Sequence, residues 1–296
     1  MRLEKLNDPL FIIGNPRSGT SMLRLILTSH TEVLIPPECG FIIWLQNKYA
    51  DWHRADNNDP AKLSQFVEDL FSSKKFETWL LDKQAVENQI TSRQPESYAE
   101  LCGAVYGAFG QRIGKQFTVW GDKNNFHINH LTDLLALYSK ARFLHIVRDG
   151  RDVACSYREV MALKSISPYA PKLNTAASDI ALEWSNNVMK VDSFISLMPG
   201  DQVMTIRYED LVLKSSETCQ LICKWLGLSF EEEMLNFYQQ NKDNQLEPDL
   251  TIDWKKRTLQ PISGDTIGRY RNILNKEERI QFESVAAQAL KKFCYA

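Results

Sequence analysis

The chain has no long apolar run. Its opening segment, MRLEKLNDP, is polar, and the first hydrophobic stretch is too short for a secretory signal core or a membrane span. A cytoplasmic protein with no membrane span is therefore expected. A basic excess is also missing: the formal net charge is −2, which argues against a general nucleic-acid binder and means that any anion site must be a local cluster of arginines. The six cysteines are scattered and contain no CxxC pair, so no disulfide framework is implied. Cys219 and Cys223 are spaced i, i+4 on a predicted helix, where two metal ligands are conceivable, but buried free thiols are the expectation. No acidic cluster suited to a metal, no internal repeat and no low-complexity tract is present, so no metal is expected. What remains is an ordinary globular composition over 296 residues, 44% hydrophobic and 24% charged.

Strand and helix signals alternate along the chain. Strands are predicted at Phe11–Ile13, Glu32–Ile35, Thr118–Trp120, Arg142–Val147 and Gln202–Ile206. Helices are predicted over Met22–Ser29, Phe41–Tyr49, Leu63–Leu81, Tyr98–Ile113, His130–Tyr138, Asp149–Leu163, Thr175–Leu197, Asp210–Leu226, Glu231–Gln240 and Lys276–Phe293. Asp149 reads as an N-cap with Asp152 at N3, and Gly227 as a helix stop. The polar stretch Asn241–Gly264 reads as loop-rich. This order predicts one α/β domain over residues 1–296, with a mostly parallel central sheet flanked by helices and ligands beyond the carboxyl ends of the strands.

The most informative stretch is FIIGNPRSGTS, residues 11–21. A buried strand, a turn of small residues and a helix start form the geometry that cradles phosphates, because glycines let the backbone approach and the first helical turn presents free N–H groups. Gly14 and Gly19 have the P-loop spacing, yet Thr20 stands where that pattern needs lysine. Arg17 supplies a planar, bidentate cation instead. The loop thus fits a phosphate-bearing nucleotide other than Mg-ATP. A second strand-to-helix junction, VRDGRDVACSY, places Arg148 at a strand's carboxyl end and Ser156 two turns into the helix, where both can hold one phosphate. An exposed helix bearing Arg151 and Asp152 as surface charges is the competing reading there.

PRSGTS after an apolar strand resembles the 5′-phosphosulfate loop of sulfotransferases that use 3′-phosphoadenosine 5′-phosphosulfate (PAPS). The pattern is most similar to the bacterial and tyrosylprotein sulfotransferase-like branch. The resemblance covers about residues 10–40 and 117–275, and implies a P-loop-like fold. It assigns Arg17, Ser18, Gly19, Thr20 and Ser21 to the 5′-phosphosulfate, and Arg148 and Ser156 to the 3′-phosphate. In RYEDL it sets Tyr208 near the adenine, by stacking or through its hydroxyl, although a core tyrosine at a strand end would look the same. PISGDTIGRYRNIL resembles the late basic loop that closes over the phosphates, with Arg269 the better match and Arg271 the weaker.

Sulfuryl transfer to an alcohol needs the acceptor proton removed and positive charge at the departing oxygen. Glu38 in PPECGF matches the glutamate base of the tyrosylprotein-like branch. His127, after GDKNNF, is the reserve, because the steroid and phenol branch uses histidine; His145, inside a strand, reads as a core residue. Lys123 falls where the family places a lysine that reaches the sulfuryl group. Lys255 lies near the place of a serine in the tyrosylprotein enzymes and carries no assigned role. No motif matches residues 41–116, which read as a helical insertion covering the acceptor. The expected acceptor is a small molecule, carbohydrate, lipid or peptide bearing a hydroxyl or amine. The aromatic and apolar residues in 41–81 suggest a partly hydrophobic pocket for it, although core helices would look the same in sequence. The alternatives are a P-loop small-molecule kinase, disfavoured by Thr20, and a non-catalytic nucleotide-binding protein.

Overall fold

A computed structural model describes residues 8–296, so most of the polar opening segment (residues 1–7) lies outside the described residues. Strands β1 (Leu10–Ile13), β2 (Val33–Leu34), β3 (Val119–Lys123), β4 (Arg142–Val147) and β5 (Val203–Arg207) form one sheet in the order β2-β3-β1-β4-β5. The pairs β2–β3 and β4–β5 run parallel, with Val33 opposite Val119 and Phe143 opposite Val203. All four β1 side chains are buried, as a strand covered on both faces requires. The predicted α/β class with a mostly parallel sheet is the observed one. Among the described residues no helix is long and apolar enough to cross a membrane.

The chain divides into two compact units. Of the described residues, the first holds 8–11 and 30–142, and the second 12–29 and 143–296. In the first unit an aromatic core forms around Trp79: its ring centroid lies 5.7 Å from Phe41, 5.1 Å from Tyr106 and 5.2 Å from Phe109, mostly edge to face. In the second, Trp184 of the long helix Ala177–Ile195 belongs to one core cluster with Tyr157, Val147 and Phe282. The Trp184 indole donates to the carbonyl of Arg148 at 3.1 Å, so the core fixes the backbone of a predicted site residue.

Several predicted elements shift. The helix expected over Leu63–Leu81 runs only from Pro60 to Phe71, capped by Asp59, and gives way to a 3₁₀ turn at Phe76–Trp79. Left-handed backbone at Lys75 and Leu80 interrupts it. A helix at Lys83–Arg93 was not expected, because only Val86 and Ile90 of its residues are buried and the apolar stripe is too narrow to read. The expected loop at Asn241–Gly264 instead contains the end of helix Phe237–Asn244, a turn of helix at Asp249–Ile252 and a 3₁₀ segment at Asp253–Leu259. Its polar residues are bonded internally. Glu247 accepts from Arg24 at 2.8 Å, Thr251 at 2.6 Å and Lys255 at 2.5 Å, with all four side chains buried.

Candidate active site

In the second unit, β1 ends in a turn closed by Ser18 N–H donating to Asn15 O at 3.1 Å, and helix Thr20–Thr28 begins two residues earlier than predicted. Gly19 is the N-cap at φ 95, and a Cβ there would lie 2.6 Å from the Tyr208 ring. Only glycine fits that approach. No side chain caps the helix, and a helix N-terminus of this kind favours an anion. Arg17 adopts φ 68, which turns its side chain toward the helix Gly150–Ala162, where Nε donates to Ser156 Oγ at 3.1 Å.

Arg148 follows β4 and is 5% exposed. It donates to the carbonyls of Arg17 at 3.1 Å and Thr266 at 3.0 Å, and its guanidinium lies 4.4 Å from the centre of the Tyr208 ring. Tyr208 opens helix Tyr208–Leu213, and its hydroxyl bonds Thr266 Oγ1 at 2.9 Å. Arg148 Nε, Arg269 Nε and Ser18 Oγ are buried without a hydrogen-bond partner. Burial, together with the charges of Arg148 and Arg269 and against the pull of Glu159, lowers the pKa of Arg17 to about 10. The arginine cluster that the net charge conceals is therefore present. Its buried N–H groups without partners fit an anion, because an unmade buried hydrogen bond costs about 1–3 kcal/mol.

The late loop is held from below by Asp152. Its carboxylate accepts from Gly268 N at 2.6 Å and Tyr270 N at 3.0 Å, and burial raises its pKa. Asp149 caps the helix as expected, accepting from Arg151 N, and Asp152 stands at N3; the competing reading of Asp152 as a surface charge fails, because it is buried. Arg151 is likewise buried, paired with Asp149 at 2.8 Å and Glu283 at 2.7 Å. Arg269 pairs with Glu159. Thr266 and Glu159 carried no signal in sequence, since both act through contacts over 50 or more positions away.

In the first unit, Glu38 sits between two ammonium groups. Lys123, the last residue of β3 and almost fully buried, contacts Oε1, and Lys75 donates to Oε2 at 2.7 Å. Lys75 was missed; a lone lysine in a predicted helix gives no signal. Asn124 ties these segments together, donating to Cys39 O and to Asp122 Oδ1, both at 3.0 Å. Asp122 also accepts from the Tyr106 hydroxyl, and burial pushes its pKa up to about 7. His127 has no exposed surface: it stands edge-on to Phe11, both ring nitrogens are without a hydrogen bond, and burial lowers its pKa to about 3. His145 in the second unit is likewise fully buried, as a core histidine. Lys255 serves Glu247, as described above. Cys219 and Cys223 are buried free thiols, with Cys223 Sγ 3.6 Å from Met234 Sδ.

Of the eight aromatics in residues 41–81, six are buried, Phe71 is half-buried and Trp44 is exposed. Trp44 stacks on Phe126 with centroids 5.7 Å apart and planes 14° apart. The apolar content of this segment is thus mainly core.

A glycine loop of this kind on a mostly parallel sheet belongs to the P-loop-like class of α/β nucleotide-site proteins. A family model described as "Sulfotransferase family" matches residues 9–232, and the chain belongs to that family of transferases. It is 24% identical over 235 residues to protein-tyrosine sulfotransferase 2 of Gallus gallus, covering 79% of this chain and 55% of the relative. It is 23% identical over 227 residues to the nodulation protein NoeE of Sinorhizobium fredii, covering 73% of this chain and 49% of the relative. The chain therefore spans about half the length of these relatives. Among solved structures, the sulfotransferase domain from the curacin biosynthetic pathway aligns with a TM-score of 0.53 at 23% identity, covering 92% of this chain and 98% of that one. A mouse sulfotransferase complexed with PAP aligns with a TM-score of 0.53 at 13% identity, covering 100% and 90%. These two likenesses concern the fold.

Proposed function

We propose that this sulfotransferase takes the sulfuryl group from PAPS and passes it to a hydroxyl on an acceptor molecule. The observation that carries the donor assignment is the set of buried N–H and O–H groups without partners on Ser18, Arg148 and Arg269, beside Arg17 and an uncapped helix start. An anionic nucleotide would satisfy them. The acceptor oxygen attacks sulfur, the bond from sulfur to the bridging phosphate oxygen breaks, and adenosine 3′,5′-bisphosphate leaves. Glu38 accepts the acceptor's proton and Lys123 supplies positive charge to the departing oxygen. Glu38 is preferred over His127 as base because the imidazole has no exposed nitrogen, whereas the Glu38 side chain is 13% exposed. Exposed Trp44, six residues after Glu38, suits an acceptor with an apolar face. A cytoplasmic location and a reaction that needs no resident metal belong to the same proposal.

Calorimetry tests the donor assignment. Adenosine 3′,5′-bisphosphate should bind without metal, and ATP or Mg-ATP should bind far more weakly. Arg148→Ala should weaken bisphosphate binding by about 2–4 kcal/mol and adenosine 5′-phosphate binding much less. A preference for Mg-ATP would make the chain a kinase. Equal losses for the bisphosphate and adenosine 5′-phosphate would remove Arg148 from the 3′-phosphate site.

A further inference from the structure

Arg269 has two calls on its guanidinium. One N–H group, Nε, is buried and without a partner, while NH1 is taken by Glu159. Glu159 lies on the helix Gly150–Ala162, three residues after Ser156 and hence on the same face as the hydroxyl that binds Arg17. Its carboxylate also pulls on Arg17, opposing the mutual repulsion of Arg17, Arg148 and Arg269. The Arg269 side chain is 13% exposed and that of Glu159 51%, so the arginine is fixed and the carboxylate is the partner with room to swing away into solvent. A phosphate group reaching Arg269 must displace this carboxylate or share the guanidinium with it.

We propose that Glu159 is a built-in competitor for the donor's phosphate: an affinity-setting residue that holds Arg269 in place of the anion and keeps the nucleotide product from binding too tightly. This rests on the donor site proposed above. The half-exposed carboxylate has solvent to swing into and lies near enough to return when the bisphosphate leaves. Its location beside Ser156 assigns the competition to the 3′-phosphate end of the ligand.

The direction of the effect makes the proposal testable, since deleting a group that merely supports the site would weaken binding. In Glu159→Gln, adenosine 3′,5′-bisphosphate should bind about three- to tenfold more tightly, because an exposed partner's charge is removed and the arginine is left for the ligand. Adenosine 5′-phosphate should gain less. In an Arg269→Ala background the same substitution should change binding by less than about twofold, since the competition runs through that arginine. Weaker or unchanged bisphosphate binding in Glu159→Gln would overturn the proposal, as would a full gain that persists without Arg269. Thermal denaturation of each variant confirms that the chain is folded. If the unsubstituted protein fails to bind the bisphosphate at all, the donor assignment itself falls; if it binds and the variant does not tighten, only the role of Glu159 falls.

Discussion

Each unit contains a carboxylate set between two cations, and the two settings differ in what surrounds them. In the first, Glu38 meets Lys75 and Lys123, with side-chain exposures of 13%, 19% and 1%. In the second, Glu247 meets Arg24 and Lys255, with exposures of 2%, 2% and 6%. Charge pattern alone does not separate them. Exposure does: a carboxylate that must take a proton from an outside molecule needs an open side, whereas one that joins a helix to a polar segment is better sealed. Glu247 also accepts from Thr251 and draws its own N–H to Asn241 at 2.7 Å, so it is enclosed by the segment it organises. A bridging carboxylate is thus no mark of chemistry by itself.

Paired substitutions can break this comparison. Glu38→Gln should lower turnover about 10²–10⁴-fold while leaving bisphosphate affinity near that of the parent chain, with a loss of stability smaller than that of Glu247→Gln because Lys75 and Glu38 keep access to water. Glu247→Gln should do the reverse, costing about 3–5 kcal/mol of stability in urea titration because two buried cations lose their counter-charge. Near-normal turnover in Glu38→Gln would remove it as base. Wild-type stability in Glu247→Gln would show that the buried cluster is not what orders residues 237–259.

A smaller effect sharpens the first unit. Burial raises the folded-state pKa of Asp122 to about 7, above its unfolded value, so the folded chain binds the extra proton between roughly pH 4 and 7. Its contribution to stability is therefore greatest at low pH and falls as pH rises through 7. The stability difference between the wild-type chain and Asp122→Asn should shift in favour of the wild type as pH is lowered from 8 to 5. A difference that stays flat across that range, measured by urea midpoints, would mean that the carboxyl is not neutralised in the folded chain.

Local patterns were legible in the sequence, and partners distant along the chain were not. Strand β4 occupies Arg142–Val147 as predicted, since a buried parallel strand is a continuous apolar run. The loop after β1 was readable from small residues at fixed spacing, and Glu38 and Lys123, though 85 positions apart, were both found through family resemblance and meet in the structure. Arg151 and Asp152 were misread because a charged residue on a helix is ordinarily solvated. Here Glu283 from the last helix and the backbone of Gly268 and Tyr270 cover them. The same limit hid Lys75, Thr266 and Glu159. Residues 241–259 were misread for a related reason: polar composition suggests exposure, whereas buried Asn241, Glu247, Thr251, Lys255 and Thr258 bond to one another.

The backbone angles at Arg17 and Lys75 have a further consequence. Both are non-glycine residues in the left-handed region, at φ 68 and φ 72, and each carries a cation of its unit's candidate site. An L-residue held there costs about 1–2 kcal/mol relative to an unstrained backbone, a cost that glycine avoids. Selection for durability alone would therefore favour glycine at both positions. Arg17→Gly should melt at the same temperature or higher and bind the bisphosphate more weakly; a clear drop in melting temperature would show that the arginine's contacts outweigh the strain. The loops that carry these two cations are thus set against the chain's own ease of folding.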